Sequence, residues 1–108
     1  MVLYLGETVR VVATALDPET SLPIDPVPTE AVAGLFAPST GDPRLDPSLR
    51  STPDETATLT YDTETQRFVA NVNSAGFAKQ ESGTWFLMIT VTGALYSNFE
   101  FGRFKLKP

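Results

Sequence analysis

The sequence predicts an all-β fold, a single antiparallel β-sandwich of about seven strands with a long irregular central loop, and three observations carry that prediction. The longest β-like run, Gly83-Thr84-Trp85-Phe86-Leu87-Met88-Ile89-Thr90-Val91-Thr92-Gly93, is aromatic and β-branched and has a glycine at each end, as a central strand does. Shorter alternating segments, bounded by Asp-Pro and Gly turns, recur along the rest of the chain. No helical-period segment exceeds a turn or two, and there is no internal repeat. A length of 108 residues with 42% hydrophobic content makes one domain that can bury a core without staples.

In chain order, residues 2–5 form a short first strand, turned by Gly6-Glu7. Residues 8–16 follow as a strand with Val9, Val11, Ala13 and Ala15 on one face, while Val12 interrupts the polar face and implies partial cover. Asp17-Pro18-Glu19-Thr20 reads as a turn, and Pro23, Asp25-Pro26 and Pro28 keep the connection irregular. Residues 30–36 are the third strand, in which Gly34 marks a weak point or a close backbone approach.

Residues 37–55 are rich in Pro, Asp and Ser, and a loop of that length inside a compact domain is uncommon. Asp46 is placed to cap a helical turn beginning at Pro47, with Leu45 and Leu49 on one side. That arm either tethers the loop or contacts a partner. Residues 56–61 and 67–72 form a hairpin in which Leu59 and Tyr61 face the same way as Phe68, Ala70 and Val72. Its turn needs a left-handed residue, and Gln66 stands where glycine would be easier. Phe77 is expected to plug the core from a loop.

On the central strand, Trp85, Leu87, Ile89 and Val91 face the core, leaving Phe86 and Met88 on an unusually apolar outer face. The last strand, about 96–107, contains a conflict. If Phe104 and Leu106 point in, then Arg103, Lys105 and Lys107 point out, and so do Phe99 and Phe101 unless a bulge at Gly102 resets the register. Of the two, the bulge is the expected one. Without it, Phe86, Met88, Tyr96, Phe99 and Phe101 form an apolar patch of the kind that marks interfaces, unless the central loop folds over it.

The chain contains no cysteine and no histidine, which removes thiolate chemistry, zinc sites of the usual kind and Ser-His or Cys-His nucleophiles. It has no phosphate-binding glycine loop. Carboxylate pairs such as Asp54-Glu55 lack a cleft across which to work, so a non-enzymatic role without cofactor is expected. Calcium is the sharper use for the acids, through Asp17, Glu19 and Asp25 or through Asp42, Asp46 and Asp54. Most of these precede proline, however, and turn capping explains them, so no metal site is assigned. The net charge of −5 opposes nucleic acid as a primary partner. Residues 1–7 lack the features of a signal peptide and no run reaches membrane-spanning length, so synthesis in a cytoplasm without export or membrane insertion is expected.

A strand opening at Gly6-Glu7-Thr8-Val9, an Asp-Pro turn after it, and Tyr61-Asp62 followed by Phe68 resemble bacterial and phage immunoglobulin-like domains. Gly83-Thr84-Trp85 running into Ile89-Thr90-Val91-Thr92-Gly93, with a Phe-rich closing strand, fits the same pattern. The resemblance covers most of the chain outside 37–55, but the chain has neither the cysteine pair of antibody-type domains nor a glycine in the hairpin turn. It implies a structural protein of a tailed-phage virion (capsid decoration, neck or tail) that contacts other virion proteins or copies of itself. Phe86, Met88, Tyr96, Phe99 and Phe101, with Leu45 and Leu49, are the candidate contacts. A carbohydrate-binding or adhesion module, using Tyr96 and the acidic loops, is the alternative.

Overall fold

The computed structural model describes residues 2–14, 30–92 and 97–108. Seven strands are present: β1 (Val2–Tyr4), β2 (Thr8–Ala13), β3 (Glu30–Phe36), β4 (Glu55–Asp62), β5 (Arg67–Asn73), β6 (Gly83–Thr92) and β7 (Ser97–Lys107). They form one mixed sheet in the order β1-β7-β6-β3-β4-β5-β2, nearly closed into a barrel. The all-β expectation holds, with one correction to its antiparallel character: β1 pairs with β7 in parallel, Val2 opposite Lys105 and Tyr4 opposite Lys107. The turn at Leu5–Gly6 then carries the chain to the opposite end of the sheet order, where β2 pairs with β5.

Continuity of the sheet comes from β4, which changes partner along its length. Residues 55–59 pair with β3 and residues 60–62 with β5. Eight residues at ~3.3 Å each are long enough to serve both halves, so one strand bends where two separate sheets would need two.

The predicted inward faces are the buried ones. β2 alternates strictly, with Val9, Val11 and Ala13 buried, and Val12 is exposed. Trp85 has no exposed surface; its ring lies 4.8 Å from Phe77 and 6.3 Å from Phe104, and its indole N–H donates to the Glu81 carbonyl at 2.8 Å. A buried indole thus keeps its hydrogen bond while filling the centre of the core. Phe77 enters from the loop, as expected. The hairpin forms with Tyr61 and Phe68 rings 5.0 Å apart, and Gln66 takes the positive φ of +57° that its turn requires. The first alternating segment ends as a strand at Ala13; its continuation through Ala15, and the turns at Asp17-Pro18 and Asp25-Pro26, lie outside the described residues.

The expected bulge at Gly102 is absent. The ladder between β6 and β7 keeps one register over ten pairs, from Gly83 opposite Leu106 to Thr92 opposite Ser97. Phe99, Phe101, Arg103, Lys105 and Lys107 therefore share the outer face, while Glu100 and Gly102 share the inner parity with Phe104 and Leu106. An unbroken ladder keeps every cross-strand hydrogen bond between these two strands, and a bulge would forfeit one to turn two phenylalanines inward. Glu100 bears the consequence: half-buried opposite Ile89, its carboxyl is pushed above the ordinary range by desolvation.

Candidate functional site

The outer face of β3, β6 and β7 is where the apolar excess of the sequence collects, and the loop 37–54 lies across it. Phe36 is fully buried and Met88 is 7% exposed, although both stand on the face opposite the main core. Pro53 seats at Gly34, where an added Cβ would lie 3.1 Å from the Pro53 Cβ and 3.3 Å from the Phe36 ring. Glycine here is a close-approach position, as its place in the strand suggested. Pro43 is also fully buried. The loop therefore seals a second, smaller apolar cluster over β3 and β6.

The loop is held by a clasp at its ends. The Asp54 carboxylate accepts from the Ala37 N–H at 2.8 Å and the Thr40 hydroxyl at 2.6 Å, and pairs with the Lys79 ammonium at 2.9 Å. The Asp54 N–H donates to the Leu35 carbonyl at 2.9 Å, tying the same residue to β3. Burial alone would raise the Asp54 pKa, but the donors from Thr40, Ala37 and Lys79 outweigh it and hold the carboxyl below its ordinary value. At the start of the loop, Ser39 donates through its N–H and hydroxyl to the Glu81 carboxylate. Within the loop, Asp46 caps the short turn Pro47–Leu49 by accepting from the Ser48 N–H at 3.1 Å, as the Asp-Pro pair predicted. Gly83, at φ +125°, lets β6 begin directly beneath Pro38.

Beyond the edge of the loop the outer face of β7 is open. Phe99 is 43% and Phe101 37% exposed, and the Arg50 guanidinium lies 5.4 and 5.1 Å from their ring centroids. Arg50 is oriented by its Nε, which donates to the Pro43 carbonyl at 2.9 Å. Next to it is a cleft of about 260 Å³ lined by Asp42, Arg44, Phe86, Phe101, Gly102 and Arg103. Lys105 and Lys107 continue the outward row of β7 past Arg103. Five of the chain's eight basic residues, Arg44, Arg50, Arg103, Lys105 and Lys107, thus gather around this face of a molecule whose net charge is −5.

The structure divides the sequence-predicted contacts. Phe99 and Phe101 are on the open surface, and Phe86 forms a half-buried wall of the cleft. Met88 is buried, and Gly34, its partner across the ladder, lies under Pro53 of the central loop. Leu45 is 81% exposed at the loop tip, while Leu49 is half-buried and packs back toward Gly41. Tyr96 lies outside the described residues. Of the carboxylates considered for calcium, Asp42, Asp46 and Asp54 are each engaged by local donors, and no group of three potential metal ligands occurs among the described residues. Asp17, Glu19 and Asp25 lie outside them. The arginines were missed as a group. The outward alternation of Arg103, Lys105 and Lys107 was visible, but nothing local signalled that Arg44 and Arg50 would fold back onto β7.

Comparison with known proteins found no matching family model, no matching curated protein and no matching solved structure.

Proposed function

We propose that this chain is a non-enzymatic docking domain, an immunoglobulin-like β-sandwich that serves as a structural component of a tailed-phage virion. It contacts neighbouring capsid, neck or tail proteins, or copies of itself, through the outer face of β7. The observation that carries the docking role is the row Phe99, Phe101, Arg103, Lys105 and Lys107, lined up outward on one strand beside Arg50 and the cleft. Aromatic and arginine side chains side by side are the composition of interface centres. The immunoglobulin-like reading is supported by the pairings β2 with β5 and β3 with β6, with β4 passing between the two halves. The virion role rests on the sequence resemblance alone.

The glycan-binding alternative needs open ring faces on which a sugar can stack. Arg50 already lies over Phe99 and Phe101, so those rings do not favour it. The test is mass spectrometry of purified particles from cells that carry the gene. The chain is expected in a fixed ratio to the capsid or tail proteins. Absence from particles, together with glycan-array binding by the monomer, overturns the proposal.

A further inference from the structure

We propose that the cleft between Arg44 and Arg103 is a carboxylate-binding site that receives an acidic side chain from the partner protein. This rests on the docking role above and names the chemistry of the partner. Arg44 stands on the covering loop and Arg103 on β7, and both line the cleft. Among the described residues neither has a carboxylate partner, the ion pair there being Lys79 with Asp54. Asp42, the acid that shares the cleft, spends its Oδ1 on the Arg44 backbone N–H at 2.9 Å.

The geometry suits a side chain better than a small molecule. Pockets for drug-sized ligands begin near ~300 Å³ and enclose most of the ligand, whereas this cleft is smaller and open. A guanidinium offers parallel donors that match a carboxylate in a bidentate pair. Phe86 and Phe101 supply an apolar wall for the methylene groups or ring beside that carboxylate. Phosphate would satisfy the same donors, but a nucleic acid would have to approach a chain carrying 13 acidic residues against 8 basic ones. A carboxylate on a protein brings the complementary charge in a single short insertion.

The probe is a capped oligoglutamate peptide titrated into the isotope-labelled protein at low salt, with backbone amide shifts read by NMR. Saturable shifts are expected at Arg44 and from Phe101 to Arg103. They should weaken at about 0.5 M salt as the charges are screened. The double variant Arg44→Gln with Arg103→Gln should bind about tenfold more weakly, the loss expected for two exposed charge-assisted contacts. Both residues are exposed, so the variant keeps the wild-type spectrum elsewhere. Equal binding by the variant, shifts centred on Arg10 or Arg67, or tighter binding of a short DNA duplex overturns the proposal. Particle association separates this failure from that of the docking role. If the double variant copurifies with virions as well as the wild type does, the cleft is wrong and the docking role stands. If the wild type itself does not copurify, the docking role fails and the titration still decides the cleft.

Discussion

Replacing Asp54 with alanine removes the clasp that holds the central loop on the sheet, and the structure allows its size to be worked out. The Ala37 N–H loses its acceptor while sitting on a residue with no exposed surface, and an unsatisfied buried donor costs about 1–3 kcal/mol. The Thr40 hydroxyl loses a second bond in a half-buried position, worth about 0.5–1.5 kcal/mol. Water reaching the opened site recovers part of this, so a net loss of about 2–3 kcal/mol is expected. Lys79→Ala removes an ion pair and a 3.3 Å hydrogen bond to the Thr40 hydroxyl, both made by an ammonium that stands in solvent, and stability should be nearly unchanged. The assay is urea unfolding followed by the fluorescence of Trp85, the single tryptophan, together with hydrogen exchange at the Ala37 amide. Asp54→Ala should lower the midpoint and speed that exchange, with the slope preserved. A loss below about 0.5 kcal/mol, the range of ordinary surface substitutions, refutes the clasp. So does a Lys79→Ala variant as unstable as Asp54→Ala, since the hydrogen bonds would then not be the main contribution.

Four further outcomes follow from the same geometry. Because the folded Asp54 carboxyl lies below its ordinary value, the stability it contributes is present above that ordinary value and is lost as pH falls through the lower folded one. An acid titration of wild type and Asp54→Asn should therefore converge at low pH. Glu100 has the opposite sign: its folded pKa is raised, so its burial penalty grows as pH rises through the carboxylate range, and Glu100→Gln should stabilise the domain at pH 7 but not near pH 3. Met88→Ala should cost about 2–5 kcal/mol in thermal or urea unfolding, as for a core methionine, because the loop buries it. Gly34→Ala should destabilise by about 1–3 kcal/mol through contact with Pro53, whereas Gly102→Ala, whose Cβ meets Leu87 at an ordinary 3.7 Å, should be neutral or better.

The β-hairpin, the Trp85 face, the Phe77 plug and the Asp46 cap could all be read directly from the chain. Each depends on residues within a few positions of one another, or on strict alternation. The positive φ at Gln66 belongs with them, since turn length and strand parity demand a left-handed residue there. The register of β7 was different. Phe99 and Phe101 argue for one parity and Phe104 and Leu106 for the other, and sequence alone weighs only side chains. The ten-pair backbone ladder with β6 decided the matter, leaving two phenylalanines outside and a glutamate half inside.

The site follows the same division. That Phe86 and Met88 stand on an apolar outer face was determined by alternation along one strand, whereas the ladder with β6 added Phe99 and Phe101 to it. Which part of it stays open was decided only by tertiary structure, because residues 37–54 cover Phe36 and Met88 and leave Phe99 and Phe101 exposed. The same fold brings Arg44 to the cleft beside Arg103 and Arg50 onto Phe99 and Phe101, from distant positions in the sequence. Alternation is a property of neighbouring residues and is written locally. The cover and the arginine cluster depend on where a loop without periodicity lands, and that is set by a clasp between Asp54, Ala37, Thr40 and Lys79 that joins distant parts of the chain.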